Sequence, residues 1–264
     1  MSTYTQVHLS ARERAEVERS AIEAAHLDVP LELSPHNLAR YLTPPKNSIF
    51  PLEYSFYLLG DLSGKTVLDY GCGPGEDTVI LASKGASVVG IDISPDLIEV
   101  ARKRAAINNL QIDFRVASAY QTGLPDNSVD VVFAHANLHH LDLDLARREV
   151  LRVLKPDGTL VVQEPVRDSR TYAFLRKLVP FTRHDVPEFE APLKHEQLDA
   201  FCAGLNCESK KRFRLPFVPV AQLFSYPNRF ARLAFRIDRW LLDSLPTLRR
   251  YATSEVRKLN RARG

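Results

Sequence analysis

From Lys65 onward, short apolar runs alternate with segments whose apolar residues recur at helical spacing. The runs Thr66–Tyr70, Ser87–Asp92, Ile112–Val116, Val129–Ala134 and Thr159–Gln163 are rich in Val and Ile and nearly continuous in hydrophobicity. Strands that read this way are covered on both faces. Between them lie the helical patterns Glu76–Lys84, Pro95–Asn108 (capped by Ser94) and Leu143–Leu154. This alternation predicts an α/β fold with a parallel, doubly wound sheet. Upstream, Ser10 and Glu13 form a capping-box signature that predicts a helix over Ala11–Ala25. Ser34-Pro35 reads as cap and first helical position of a short helix ending near Leu42. The three prolines of "TPPKNSIFP" then argue against regular structure. Residues 1–60 therefore read as a helical, proline-punctuated cap, ahead of a main domain over 61–264. Beyond Pro165 the order changes. A helix near Arg170–Val179 precedes the loop "PFTRHDVPEFEAP". A helix over His195–Leu205, a strand over Glu208–Leu215, a helical insert over about 218–248 and a last strand over Tyr251–Leu259 follow.

Composition adds constraints. The chain of 264 residues is 45% hydrophobic and 25% charged, as a globular domain requires. No apolar run approaches the ~18 residues of a membrane-spanning helix. The N-terminus lacks the apolar core of a signal peptide, so a cytoplasmic protein is expected. Cys72, Cys202 and Cys207 have neither disulfide-framework nor zinc-site spacing, and no metal site is expected. The net charge of +3 conceals a polarity. Residues 205–264 hold 14 Lys/Arg against 4 Asp/Glu, leaving 21 against 28 in the preceding part. Such asymmetry suits a solvated face or an anionic partner.

The stretch "VLDYGCGPGEDT" carries the candidate chemistry. Gly71, Gly73 and Gly75 leave the first strand and enter a helix, where open α/β sheets bind ligands. A dinucleotide loop would read G-x-G-x-x-G, but here the third glycine comes one position early. Glu76 and Asp77 would also repel a pyrophosphate at the helix start, whereas they do not obstruct a ligand with a cationic centre.

On these residues the chain resembles the class I S-adenosylmethionine-dependent methyltransferases, in their small-molecule (methyltransferase type 11-like) branch. "VLDYGCGPG" resembles the family's first motif, and "VVGIDIS" its second, with Asp92 ending strand two. "FRVASA", "LPDNSVDVVFAHANLHHL" and "EVLRVLKPDGTLVVQEP" follow in the family's order. The resemblance is close over residues 62–166. It implies a Rossmann-like, seven-stranded sheet with an antiparallel last strand, and S-adenosyl-L-methionine as cofactor with S-adenosyl-L-homocysteine as product. It implies further that Asp69, Gly71, Cys72, Gly73 and Gly75 form the cofactor loop and that Asp92 and Ile93 meet the ribose. Ser118 and Ala119 lie on the adenine side, where many relatives carry an acid and this chain has a serine. His135 is placed beside the methionine portion.

Direct in-line transfer needs alignment and exclusion of water, and a base only where the acceptor must lose a proton. His139 and His140 are the candidate catalytic bases, although the commoner role for such a pair is the satisfied start of the next helix. Tyr41, Tyr54 and Tyr57 sit in the cap. The motif after strand four that marks nucleic-acid amino-methyltransferases is absent, since that place reads Ala134-His135-Ala136-Asn137. A small hydrophobic or amphipathic acceptor, methylated on oxygen, carbon or nitrogen, is the expected partner, and nucleic acid is not. In "NRFARLAFRIDRWLLDSL", Arg229, Arg232, Arg236 and Arg239 follow helical spacing on one side, with Phe230, Leu233, Ala234, Ile237 and Leu241 largely on the other. Packing on the sheet and contact with a membrane or lipid are both open to this basic amphipathic helix. Two alternatives stand beside the small-molecule reading: an RNA or protein methyltransferase that uses the basic region, and a non-catalytic adenosylmethionine-binding protein.

Overall fold

The computed structural model describes residues 9–27, 30–167, 192–216, 218 and 229–262. Seven strands form one sheet: β1 (Thr66–Tyr70), β2 (Ser87–Asp92), β3 (Asp113–Val116), β4 (Val129–His135), β5 (Leu154–Pro165), β6 (Asn206–Phe213) and β7 (Ser254–Asn260). Their spatial order is β3-β2-β1-β4-β5-β7-β6. β1 pairs in parallel with both β2 and β4, β2 with β3, and β4 with β5. β7 runs antiparallel to both of its neighbours, β5 and β6. The winding direction reverses between β1 and β4, and a crevice opens beyond their carboxyl ends.

Eight α-helices are described: α1 (Ala11–Ala25), α2 (Pro35–Leu42), α3 (Pro51–Leu59), α4 (Glu76–Ser83), α5 (Pro95–Ile107), α6 (Leu143–Val153), α7 (His195–Phe201) and α8 (Arg229–Ser244). Alternate strand residues sort to two faces. Leu68, Val132, Leu160 and Val162 meet α6 and α7 through Val150, Val153, Leu198 and Phe201. Val67, Val131, Phe133 and Val161 meet α3 and α4 through Phe56, Leu59, Ile80 and Leu81. Cover on both faces is why these strands read as unbroken apolar runs.

Several expectations are corrected. The proline-rich stretch does not end regular structure: Pro51 starts α3 at its first position, where a missing N–H costs nothing. β5 begins at Leu154 because Leu154 pairs with Val129 ahead of a bulge. β6 covers Asn206–Phe213 rather than Glu208–Leu215, and Tyr251 closes a 3-10 turn (Pro246–Tyr251) before β7. The helix expected over Arg170–Val179 lies outside the described residues, as does 219–228 of the insert. Within α8 the buried side is Ala234, Phe235, Asp238 and Leu242, while Leu233 and Ile237 are exposed together with Arg232 and Arg236. Asp238 sets this orientation. Its carboxylate accepts the backbone N–H groups of Arg214 (3.0 Å) and Leu215 (2.6 Å), so its own side of the helix must face inward.

Candidate functional site

The loop after β1 turns under a specific set of constraints. Gly71, Gly73 and Gly75 have φ of 79°, 49° and 80°, the left-handed region where side chains are strained. A Cβ on Gly71 would collide with Asn137, whose side-chain amide donates to the Tyr70 carbonyl. One on Gly75 would lie 2.9 Å from the Ala101 Cβ, so this glycine allows α4 to approach α5. Gly73 has open space where a Cβ would stand, so only its backbone conformation and the cleft constrain it. Buried Arg104 braces the turn by donating to the Pro74 carbonyl (2.9 Å) and pairing with Glu76 (3.3 Å).

Asp92, ending β2, accepts the N–H groups of Gly73 and Ser94, each at 2.9 Å, one on each carboxylate oxygen. Each oxygen keeps a lone pair for a further donor such as a ribose hydroxyl. Burial raises the Asp92 pKa, the two amides work against that, and Glu16 and Glu23 of α1 add repulsion. Deeper, Asp69 is 2% exposed. Burial and then the Asp77 carboxylate push its pKa up to about 7, against a 2.5 Å hydrogen bond from Thr78 Oγ1. His135 Nδ1 lies 2.6 Å from Asp77 Oδ2, and its Nε2 lies 2.9 Å from the Gln163 amide nitrogen. Burial opposes charge on His135, but Asp77 and further acids carry its pKa upward.

Around these groups runs a cleft of ≈ 440 Å³, bounded by Gly71, Gly73, Asp77, Asp92, His135 and the α1 residues Glu16 and Glu23. It adjoins a smaller lobe lined by Ile93, Ala117, Ala119, Tyr120 and Leu141. A polar, acid-rich chamber beside an apolar slot fits a ligand with a cationic amino-acid end and a flat nucleobase. The carboxylates of Asp77, Glu16 and Glu23 bound the chamber, and a cationic group is the ligand chemistry they suit.

The sequence-predicted residues are distributed unevenly. Gly71, Cys72, Gly73, Asp92, Ile93, Ala119 and His135 line the two lobes, while Asp69 and Gly75 support the loop from behind. Cys72 is 7% exposed and packs against Val79, Ile98 and Phe114. Burial pushes its thiol pKa well up, which suits a filler rather than a nucleophile. Ser118 Oγ donates to Glu13 Oε1 of α1 at 2.6 Å and accepts the Tyr120 N–H at 3.1 Å. Glu13 itself lines the apolar lobe, so α1 brings a carboxylate to the side where the loop has only serine.

The two histidines part company. His139 Nδ1 lies 2.9 Å from Glu164 Oε2, and Glu164 is fully buried at the end of β5. The other oxygen of Glu164 accepts the N–H groups of Asn137 (2.9 Å) and Leu138 (2.8 Å), which fixes the carboxylate in place. A proton held on Nδ1 by Glu164 leaves Nε2 as the acceptor nitrogen. His140 lines both lobes, with Nδ1 3.4 Å from Glu16. Burial, and then His139, lower its pKa to about 4, so it is neutral at pH 7. Sequence reasoning missed Glu13, Asn137 and Glu164; the acid in "VVQEP" after strand five was the available signal for Glu164.

A family profile described as "Methyltransferase domain" matches residues 68–162. A ubiquinone biosynthesis O-methyltransferase of Actinobacillus pleuropneumoniae serotype 5b (strain L20) is 33% identical over 192 residues, 67% of this chain and 80% of that protein. A protein of the same description from Pseudomonas paraeruginosa (strain DSM 24068 / PA7) is 30% identical, over 70% of this chain and 82% of that one. Among solved structures, the geranyl diphosphate C-methyltransferase of Streptomyces coelicolor A3(2) superposes with a TM-score of 0.60 at 14% identity, covering 96% of this chain and 99% of that one. The [4+2]-cyclase SpnF gives 0.57 at 20% identity over 94% and 93%. At these identities the two superpositions establish the fold alone.

Proposed function

Since this chain belongs to the S-adenosylmethionine-dependent methyltransferases and acts on a small molecule, we propose that the acceptor atom is a hydroxyl oxygen of an amphipathic compound and that His139 removes its proton. The observation that carries this reading is the Glu164–His139 pair at 2.9 Å, with the carboxylate fully buried and locked by two backbone amides. The cofactor supplies an electrophilic methyl group on a sulfonium centre. Asp92 is positioned to hold the ribose, and Ile93, Ala117 and Ala119 to flank the base. Asp77, Glu16 and Glu23 give the cleft the negative charge that a cationic ligand needs. His139 would take up the hydroxyl proton on Nε2 as the acceptor is methylated, and Glu164 would stabilise the resulting imidazolium. α1 closes over the cleft and keeps bulk water from the reacting atoms. The 33%-identical relative is described as an O-methyltransferase, which supports an oxygen acceptor.

The test is incubation with methyl-labelled cofactor and a panel of alkyl-substituted phenols, with matched amines and thiols. Label is expected on phenolic oxygen, and His139→Ala should lower kcat by about 10²–10⁴-fold. Its affinity for S-adenosylhomocysteine should be preserved. Transfer only to amines, carbon acids, RNA or protein, or an unchanged kcat in His139→Ala, would refute the assignment.

A second reading concerns location: peripheral contact of a cytoplasmic enzyme with lipid through α8. Leu233, Ile237 and Trp240 are 52%, 43% and 64% exposed, next to exposed Arg232 and Arg236. Large apolar side chains bordered by arginine suit a helix lying in a membrane interface. Among the described residues no helix is long and apolar enough to cross a membrane. Amphipathic acceptors partition into lipid, so the two readings support each other.

A further inference from the structure

Among the described residues β6 is the last strand of the sheet, and its outer edge has no described strand partner. Between this edge, α3 and α8 lies a pocket of ≈ 450 Å³ that shares no residue with the cofactor cleft. Five of its lining residues are cationic: Lys210, Lys211, Arg212, Arg239 and Arg249. Asp243 is the one acid among them.

Three of the five cations are already matched. Lys210 pairs with Asp199 at 2.9 Å and Arg212 with Glu255 at 2.8 Å. Arg239 grips both oxygens of Asp243, at 2.5 and 2.8 Å. Lys211 and Arg249 form no ion pair with a described residue. Lys211 Nζ reaches the Ser48 carbonyl at 3.4 Å and stands 4.4 Å above the Tyr54 ring. Arg249 Nε donates to the Leu242 carbonyl at 2.9 Å, which leaves its terminal nitrogens for another acceptor. Burial, and then the charge of Arg239, bring the Lys211 pKa down to about 8, with Asp243 opposing the shift. An ammonium and a guanidinium facing one cavity are a matched pair for a phosphate.

We propose that this pocket binds the phosphate of an anionic lipid headgroup. The proposal rests on the lipid-contact reading of α8 and gives that contact its chemical specificity. The helix itself supplies the argument for lipid over free phosphate. At about 100° per residue, Arg232 falls between Arg239 and Asp243, which border the pocket, Arg236 comes next around the helix, and Trp240, Leu233 and Ile237 follow. Phosphate site, arginine row and apolar stripe thus lie side by side in the sequence of a membrane's own layers: headgroup, interface, acyl chain. An exposed tryptophan at the middle layer suits the interface.

Trp240 is the chain's single tryptophan, so its emission reports insertion directly. The full chain is titrated with vesicles of phosphatidylcholine alone, and of phosphatidylcholine with phosphatidylglycerol. A blue shift is expected with the anionic vesicles. Lys211→Met keeps an unbranched side chain of similar length but removes the charge that stands over Tyr54. It should raise the half-saturating lipid concentration about fivefold, the factor that corresponds to ~1 kcal/mol for one basic residue at an anionic surface. Arg249→Gln should do the same, whereas Lys103→Met, an equal charge loss on α5, should leave the titration unchanged. Soluble glycerol phosphate should compete with the vesicles. No shift with any vesicle overturns the lipid-contact reading itself. A shift that ignores both Lys211→Met and Arg249→Gln overturns the pocket and leaves lipid contact standing. Glycerol phosphate bound through Lys211, without any effect of Lys211→Met on vesicle affinity, identifies a free phosphate as ligand and overturns the lipid source. Preference for an oligonucleotide over anionic vesicles at physiological salt also overturns the proposal.

Discussion

Replacing Asp69 with asparagine should make the cofactor-free protein more stable, by an amount that grows as pH rises from about 4 to about 7 and is constant above. Asp69 is 2% exposed, and burial with the nearby Asp77 carboxylate raises its pKa from 3.8 to about 7. Between those two values the unfolded chain releases a proton that the folded chain retains. Stability therefore falls as pH rises through that window and is level above it. At ~1.4 kcal/mol for each pH unit, the full penalty is about 4 kcal/mol at pH 8. Asparagine carries no charge, and its amide oxygen can still accept the hydrogen bond that Thr78 Oγ1 gives at 2.5 Å. Asp69→Asn should thus match the wild type near pH 4 and exceed it by up to about 4 kcal/mol at pH 8. Urea unfolding without cofactor at both pH values measures the difference. A variant no more stable at pH 8, or a stability difference that is the same at both pH values, would refute the electrostatic argument.

Glu13→Gln keeps the capping box of α1 but removes the charge beside the apolar lobe; titration calorimetry should find S-adenosylhomocysteine binding weakened about fivefold, the equivalent of ~1 kcal/mol. The 6-oxo analogue S-inosylhomocysteine should lose less, since it has no amino group to donate. Gly75→Ala puts a Cβ 2.9 Å from that of Ala101 at a φ of 80°; a loss of more than about 2 kcal/mol in urea unfolding is expected. Glu255 is fully buried; burial opposes its charge, but the His195 hydrogen bond, Arg257 and Arg212 draw its pKa down to about 2. Its contribution is present above its ordinary 4.5 and is lost as pH falls towards 2. Glu255→Gln should therefore cost about 3 kcal/mol at pH 7 and flatten the acid side of the stability profile.

The glycine loop and Asp92 were legible because their geometry is local: a strand end, a turn and the next helix fix them within a few residues. Glu164, Asn137 and Glu13 act across the fold. Glu13 meets Ser118 at a separation of 105 residues, and in sequence its pattern with Ser10 accounts for it fully as a cap. It performs both tasks, one carboxylate oxygen accepting from Ser10 and the other from Ser118. α3 was hidden because proline carries opposite meanings at the first turn and in the interior of a helix. The inward side of α8 could not be read from periodicity, since apolar residues lie on two sides of it. Asp238, an acid that looks solvent-facing in sequence, decides between them by accepting two backbone N–H groups.

The placement of β7 has a consequence for synthesis. Chain order and spatial order disagree at one edge: β7 lies between β5 and β6 although it is made after both. Until Ser254–Asn260 has left the ribosome, β6 has no strand to pair with, and β5 presents a bare, apolar edge. A nascent or prematurely terminated chain that ends before Ser254 does not lack a trailing strand; it lacks the joint between two finished parts. Such fragments carry two unpaired sheet edges, the feature through which strands recruit other chains. Proteostasis should therefore treat this protein as all or none, with chaperone dependence concentrated in the interval between translation of Phe213 and of Asn260.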